Sequence, residues 1–420
     1  MSKKIKILTI SDHPLSPSGV GVQTKYMIEG LLKTGRFQVV SLGGAVKHQN
    51  YQPMKTEEWG DDWTIFPVDA YGNPEIVRSV LRNERPDILW FMTDPRFYGW
   101  LWQMEDEIRP LVPMVYYHVW DNYPPPKFNR SAYDSTDVIV TISKLTNEIT
   151  NIVAEKAEVI HLPHAVDTGI FTKLDEEKIR EFKAESLSES TNPDKMIFFW
   201  NNRNARRKQS GTLIFWFKEF LDRIGHENAC LIMHTDPRDQ HGQNLEAIIQ
   251  ELGLNNGQVR ISKNKVAPEA LAHLYNAADC TINISDAEGF GLATLESLAC
   301  ETPIIVTMTG GLQEQITDGE NWFGFGIEPT SRAVIGSQEI PWIYEDRISG
   351  PEFIDTLEKF YNLPLEERAE MGAKGRQHVE NNYSFEQYQA GWDKILTEIH
   401  ERKGSWETRK EYECWRLEEL

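Results

Sequence analysis

Short apolar runs alternate with longer amphipathic or polar stretches along most of the chain. The first run, residues 5–10, is followed by a loop rich in Gly, Pro and Ser and then by apolar residues at helical spacing over residues 22–32. This order predicts a strand, a loop and a helix. Further strands are predicted at residues 37–42, 87–92, 113–118, 137–142 and 158–162. Such alternation is typical of an α/β fold, a parallel sheet with helices on both faces.

A polar stretch at about residues 175–195 interrupts this pattern, and an apolar strand at residues 196–200 restarts it. Four more strands are predicted after it, at residues 229–234, 258–261, 280–284 and 303–306. A chain of 420 residues also fits two domains better than one. We therefore predict a first Rossmann-like lobe over residues 1–175, a second over 190–385, and a helical extension over 386–420. The extension could cap the second lobe or cross back to the first.

The composition, 40% hydrophobic and 26% charged, is that of a globular protein. No apolar run approaches the roughly 20 residues of a membrane span, and the first residues lack the features of a signal peptide. We expect a cytoplasmic protein with no integral membrane segment. Four cysteines lie far apart, which predicts reduced thiols: Cys230, Cys280, Cys300 and Cys414. The net charge of −20 opposes a general affinity for nucleic acids.

The segment most specific for chemistry is EGFGLATLESLACETPIIV, residues 288–306. It follows a predicted strand, and Gly289 and Gly291 bracket Phe290 before a helix that begins near Leu292. The first N–H groups of a helix are unpaired and the helix dipole adds positive charge, so a phosphate fits there. The glycines let the backbone approach it closely.

Two carboxylates in this segment, Glu288 and Glu296, are eight residues apart. The spacing places Glu288 on the loop and Glu296 about one turn into the helix. Two carboxylates so placed suit two hydroxyl-bearing groups better than one metal ion. For either carboxylate alone, an ordinary solvated glutamate is the alternative interpretation.

The whole segment resembles the signature of retaining glycosyltransferases of the GT-B architecture, specifically glycosyltransferase family 4. The resemblance implies two Rossmann-like lobes with a nucleotide-sugar donor in the cleft between them. It implies that Glu288 contacts the transferred sugar, that Glu296 contacts the nucleotide ribose, and that the backbone of residues 289–292 contacts the phosphates. Uridine diphosphate sugars are the commonest donors that it implies.

The segment WNNRNARRKQS, which follows the first strand of the second lobe, resembles the family's diphosphate site. Arg203 and Lys208 match the Arg and Lys that neutralise the donor diphosphate there. Fixed cations stabilise the charge that builds on the leaving phosphate, so no metal or other cofactor is expected. A solvated basic turn is the alternative, and Arg206 and Arg207 leave the choice of cation open.

Two features of the first lobe resemble the same family. SPSGVGVQT, with Gly19 and Gly21, is similar to the glycine-rich loop under the phosphates and acceptor, although a tight turn would look the same. His118 ends a predicted strand where the family often has a histidine near the sugar, and Trp120 or Asp121 could line the same pocket. A buried structural histidine is the alternative.

The sequence also departs from the family. His164 stands where an Asn is usual, and residues 331–349 have no familiar counterpart, so this stretch could be an insertion that contacts the acceptor or a partner. Tyr275 keeps its usual place and is interpreted as structural. Gly310 and Gly311 are expected to shape the floor of the cleft.

The reaction implied is sugar transfer from a nucleoside diphosphate to a hydroxyl with retention and without a covalent nucleophile. The acceptor stays open among a saccharide, a small metabolite, a protein and a modified nucleobase in DNA, the last disfavoured by charge. The alternatives are a phosphorylase or epimerase of the same architecture and a non-catalytic GT-B binding subunit. The joint presence of four residues favours the transferase: Arg203, Lys208, Glu288 and Glu296.

Overall fold

The computed structural model describes residues 3–120, 122–187 and 195–412. The chain forms two compact units. The first comprises Met1–Ala165, Ser337–Pro341 and Phe385–Leu420, and the second comprises Val166–Gly336 and Trp342–Ser384. The first unit thus ends ten residues before the predicted boundary of the first lobe, and the C-terminal segment is part of the first unit.

The elements of the first unit alternate between strands and helices. The strands are β1 Ile5–Asp12, β2 Phe37–Gly44, β3 Met54–Lys55, β4 Trp63–Pro67, β5 Ile88–Thr93, β6 Met114–His118, β7 Val138–Thr141 and β8 Glu158–His161. The α-helices before the second unit are α1 Gly19–Lys33, α2 Pro74–Glu84, α3 Gly99–Trp102, α4 Glu105–Ile108, α5 Arg130–Asp134 and α6 Lys144–Val153.

The second unit repeats the alternation. Its strands are β9 Met196–Asn201, β10 Ala229–His234, β11 Val259–Ser262, β12 Cys280–Asn283, β13 Ile304–Thr307, β14 Gly324–Ile327, β15 Ser331–Ile335 and β16 Ile343–Arg347. Its helices are α7 Glu176–Leu187, α8 Ser210–Ile224, α9 Leu245–Glu251, α10 Pro268–Ala277, α11 Leu292–Ala299, α12 Leu312–Ile316, α13 Gly350–Tyr361 and α14 Leu365–Asn382. Helix α15, Phe385–Lys403, returns to the first unit.

The sheet of the first unit has the order β3-β4-β2-β1-β5-β6-β7-β8, and its strands are parallel except for the antiparallel pair β3 and β4. Every residue of β5 is buried, as expected for a strand covered by helices on both faces. The predicted α/β class is confirmed. Strands β3 and β4 were not predicted from the sequence.

The main sheet of the second unit has the order β11-β10-β9-β12-β13-β14 and is parallel throughout. The strand order reverses between β9 and β12, which are neighbours. In open α/β sheets, ligands bind beyond the carboxyl ends of the strands at such a reversal. The fold therefore directs attention to the loops that follow β9 and β12. Strands β15 and β16 form a separate antiparallel hairpin.

Helix α15 packs on α1 within the first unit. At Gly30 the backbone of α1 lies against the side chain of Gln389, since a Cβ on Gly30 would lie 2.4 Å from Cγ of Gln389. The Tyr388 hydroxyl donates a hydrogen bond to the carbonyl of Gln23 at 3.1 Å. Trp392 is fully buried, with its ring centroid 5.7 Å from that of Trp90 on β5. The C-terminal helix therefore supplies part of the core of the first unit.

The chain beyond α15 returns to the amino ends of β5 and β7. The Ser405 hydroxyl donates to the buried Asp87 carboxylate at 2.7 Å, and the Arg409 guanidinium donates to the buried Asp137 carboxylate at 2.8 Å. These contacts add to the hydrogen bonds that the two buried carboxylates accept from the backbone N–H groups of Lys6 and Met114. No helix in the described ranges combines the length and apolar character needed to span a bilayer.

The cysteines were predicted to be reduced thiols. Cys230, Cys280 and Cys300 are free and buried, and burial raises the pKa of each thiol. Cys414 lies outside the described residues.

Candidate functional site

The loops after β9 and β12 meet at the carboxyl edge of the second sheet, where they form a buried ion pair. The Lys208 ammonium donates a hydrogen bond to Oε2 of Glu288, and Asn283 Nδ2 lies 3.3 Å from the same oxygen. The two charged side chains are only 8% and 11% exposed. Burial alone would raise the pKa of Glu288, but Lys208 and Arg207 more than offset it and lower the pKa. Glu288 is therefore an ionised carboxylate beside a buried cation.

The loop that carries Glu288 depends on glycines for its shape. The Gly311 N–H donates to the Glu288 carbonyl at 3.0 Å, and a Cβ on Gly310 would lie 1.7 Å from that carbonyl oxygen. Gly291 has φ +96° and gives α11 no side-chain cap. The first N–H groups of α11, which begins at Leu292, therefore need other partners. Gly310 and Gly311 thus pack against the backbone of this loop at Glu288.

The second glutamate of the signature belongs to a separate hydrogen-bonded chain. The Tyr275 hydroxyl donates to Oε2 of Glu296 at 2.7 Å and accepts from Asn201 Nδ2 at 2.8 Å. Burial raises the pKa of Glu296 to about 7, and the bond from Tyr275 opposes this rise. Tyr275, interpreted from the sequence as structural, thus orients the glutamate. Asn201 was missed, although its place at the end of β9 was a signal.

The four cations after β9 have different partners. Arg203 is 60% exposed and donates from Nε and Nη2 to Asp239 at 2.7 and 3.2 Å. Arg206 pairs with a glutamate of β16, and Arg207 donates to the Ala287 carbonyl at 2.7 Å. The structure thus places the Lys208 ammonium, but not the Arg203 guanidinium, beside Glu288. Asp239 follows β10, and no spacing in the sequence pointed to it.

Comparison with known proteins identifies this part of the chain. Residues 181–378 match the family described as glycosyl transferases group 1. The matched range contains both signature glutamates and the cations after β9. This segment is therefore similar to group 1 glycosyl transferases. The predicted recognition is confirmed at this level, while family 4 in particular stays a prediction.

The relatives found among curated proteins are D-inositol 3-phosphate glycosyltransferases. One from Paenarthrobacter aurescens is 33% identical over 138 residues, which cover 33% of this chain and 28% of the relative. One from Actinosynnema mirum is 27% identical over 170 residues, which cover 40% and 39% of the two chains. The matches therefore span less than half the length of these relatives.

Solved structures resemble the chain over nearly its whole length. A sucrose-phosphate synthase from Thermosynechococcus elongatus has a TM-score of 0.75 at 16% identity and covers 95% of this chain and all of its own. The HepE protein of Anabaena, solved with UDP and glucose, has a TM-score of 0.67 at 15% identity, with coverage of 95% and 100%. These likenesses confirm the predicted GT-B fold.

The glycines predicted at the first loop of this GT-B fold open helix α1. Gly19 is its first residue, and the Ser18 hydroxyl accepts from the N–H of Gly21 at 3.0 Å. A Cβ on Gly21 would lie 2.5 Å from Oγ of Ser16, so the loop folds closely on itself. Asp12, at the end of β1, accepts from the Ser18 hydroxyl at 2.6 Å. A contact between this loop and a donor stays a prediction.

His118 lies at the end of β6 and is completely buried. Its Nε2 is 2.7 Å from the Tyr133 hydroxyl, and burial lowers the pKa of the imidazole to about 3. The neighbouring Trp120 is also buried and donates to the Asn122 carbonyl at 2.7 Å, while Asp121 lies outside the described residues. His118 is thus a neutral, packed histidine here, and its role at the sugar stays a prediction.

His164, which departs from the family pattern, is buried as well. Its Nδ1 lies 2.8 Å from the Tyr117 hydroxyl, and burial lowers the pKa of the imidazole to about 3. The ring centroids of the two side chains are 5.1 Å apart in an edge-on arrangement. His164 therefore packs as part of the first unit.

Proposed function

We propose that this protein transfers a sugar from a nucleoside diphosphate, most simply a uridine diphosphate sugar, to a hydroxyl acceptor with retention. The observation that carries the proposal is the buried Lys208–Glu288 pair beside the amino end of α11, at the strand reversal of the second sheet. This is where an α/β sheet binds nucleotides, and the pair offers one cation for phosphate and one acceptor for hydroxyls.

The roles follow from charge. A diphosphate at the start of α11 would bind the uncapped N–H groups and Lys208, and Arg203 would add a second cation by leaving Asp239. As the glycosidic C–O bond breaks, its electrons pass to the β-phosphate oxygen, where the cations stabilise them. The acceptor oxygen would bond to the anomeric carbon on the same face, and its proton would pass to the departing phosphate oxygen. Glu288 would then accept hydrogen bonds from the sugar hydroxyls. No metal step is needed in this scheme, and a chelator tests that expectation directly.

Glu296 is proposed to bind the ribose. Its Oε2 is held by Tyr275, which fixes the carboxyl group one turn into α11. A carboxylate accepts from ribose hydroxyls as it accepts from Tyr275, and with a pKa of about 7 it is partly ionised at neutral pH. The choice of uridine is supported by HepE, which was solved with UDP and with UDP-glucose.

The acceptor is proposed only as a class. The relatives are named for inositol 3-phosphate, which makes a phosphorylated cyclitol the first acceptor to test. Saccharides, other metabolites, a protein and a modified DNA base follow, and the net charge of −20 disfavours the last. A cytoplasmic location also remains part of the proposal.

The test begins with thermal-shift measurements against uridine, guanosine, adenosine and thymidine diphosphates and their sugars, with and without EDTA. Stabilisation by one nucleotide identifies the donor base, because a ligand that binds only the folded state raises its stability. Transfer is then followed by NMR of the anomeric proton, and an inverted product would contradict retention. Binding with neither transfer nor donor hydrolysis would favour the non-catalytic alternative.

A further inference from the structure

Strand β16, the second strand of the β15–β16 hairpin, contacts three loops of the candidate site, all within the second unit. The side chains of its consecutive charged residues, Glu345, Asp346 and Arg347, each contact a different loop. Glu345 binds the loop after β9, Arg347 the loop after β12, and Asp346 the loop after β13. We call these three residues the brace. They lie in the stretch that had no counterpart in the family pattern.

The side chains of the brace form an alternating chain of charges. Arg206 donates from Nη1 and Nη2 to Glu345 at 2.8 and 2.5 Å. Arg347 donates to Glu345 at 3.0 Å and pairs with Asp286 at 2.8 Å. The two carboxylates are 3% and 4% exposed, whereas the side chains of Arg206 and Arg347 are 53% and 33% exposed. Removing the charge of Glu345 takes a partner from both cations.

Backbone bonds join the same segments. The Asp346 N–H donates to the Asp286 carbonyl at 2.8 Å, and the Asp286 N–H donates to the Arg207 carbonyl at 2.8 Å. Arg207 adjoins Lys208, and Asp286 lies two residues before Glu288. The brace therefore holds both loops next to the two residues of the buried ion pair.

The third loop completes the arrangement. Thr309 donates from its hydroxyl to Asp346 at 2.7 Å, and it immediately precedes Gly310, which lies against the Glu288 carbonyl. Within the described residues, the hydrogen-bonded chain of Asn201, Tyr275 and Glu296 makes no side-chain hydrogen bond to the brace. The brace thus supports the phosphate side of the proposed site and not the ribose side.

We propose that Glu345 is a positioning residue for the donor diphosphate. By holding Arg206 and Arg347 it fixes the loops that place Lys208 and Glu288, without touching the donor itself. This rests on the proposed function, because it concerns how tightly that same site binds a diphosphate. Preorganised charges bind phosphate more tightly than mobile ones, since less order is lost on binding.

The test is Glu345→Gln, which keeps the shape of the side chain and removes its charge. Titration calorimetry with UDP and NMR titration with uridine give the two dissociation constants. We expect the Kd for UDP to rise about tenfold, the scale of one lost charged hydrogen bond. We expect the Kd for uridine to change less than about twofold, because the ribose side is untouched. Asp355→Asn, which breaks an exposed pair with Arg223 in the same unit, is the matched control and should change neither.

An unchanged Kd for UDP in folded Glu345→Gln, or equal losses for UDP and uridine, overturns the inference. If that variant does not fold, Thr309→Val removes the bond to Asp346 at almost constant shape. It should raise the Kd for UDP about threefold with uridine unchanged, and an unchanged ratio refutes the role of the brace. A wild-type protein that binds UDP no more tightly than uridine would instead overturn the proposed donor, and this inference with it.

Discussion

Replacing the buried cation of the candidate site separates its structural role from its chemical role. In Lys208→Met the stem of the side chain is kept, but Glu288 loses its ion-pair partner in a place where only about a tenth of its side chain is exposed. Asn283 and Arg207 remain near it. The variant therefore isolates the effect of one charge.

Two magnitudes follow. Removing one partner of a buried ion pair costs about 3–5 kcal/mol, because the other charge stays buried and uncompensated. Removing one group that stabilises a developing charge lowers turnover by about 10²–10³-fold.

The cost in stability depends on pH. In the wild type the lowered pKa of Glu288 stabilises the fold above the carboxylate's unfolded pKa, and this is lost as pH falls. In the variant, burial without Lys208 raises the pKa, so the deficit should shrink in acid.

The assay combines urea unfolding at pH 8 and pH 5 with donor turnover. The second variant, Lys208→Met with Glu288→Gln, removes both charges and should recover most of the lost stability while turnover stays low. Recovery of stability reports the pair, and continued inactivity reports the chemistry. Full turnover in Lys208→Met would refute the diphosphate role. A deficit in stability that is the same at both pH values would refute the charge argument.

Three further results are expected. The main effect of Glu296→Gln should be weaker nucleotide binding, measured by calorimetry. Because burial raises the pKa of the Glu296 carboxyl group to about 7, the substitution should also stabilise the fold at pH 8 and not near pH 4. Arg203→Ala should lower turnover more than about 10²-fold, and the free energy of unfolding should not change because the side chain is largely exposed. Arg238→Ala, the control, should leave turnover unchanged. Equal turnover in the two variants would contradict the role of Arg203 at the diphosphate. Ser405→Ala should cost about 1–3 kcal/mol in urea unfolding by unpairing part of the buried Asp87, and no loss would show that the C-terminal contact is dispensable.

Local pattern predicted the strands that consist mostly of apolar residues. β10 and the start of β9 lie where the sequence placed them, because a run of four to six apolar residues is a direct sign of a buried parallel strand. β14 was missed since its sequence, GFGI, is short and half glycine. β15 and β16 were missed because their residues are largely exposed or polar, and their pairing depends on partners elsewhere in the unit.

The candidate site shows the same division. Lys208, Glu288 and Glu296 could be named as candidates because they stand at fixed distances from a strand end or from each other. Glu345 could not, since its partner Arg206 lies 139 residues away and no spacing joins them. His118 was placed at its strand end from sequence, but burial of its ring is a property of the packed unit. Residue identity thus predicted candidates for the chemistry, and packing decides their partners.

The pairing of α1 with α15 has a consequence for synthesis on the ribosome. Helix α1 is complete after residue 33, but its partner begins only at Phe385, after the whole second unit has been made. At a synthesis rate of about 5–20 residues per second, the apolar face of α1 stays exposed on the order of tens of seconds before α15 is made. The second unit can form its sheet during that time. The N-terminal unit, although its residues emerge first, is therefore the one whose core is completed last.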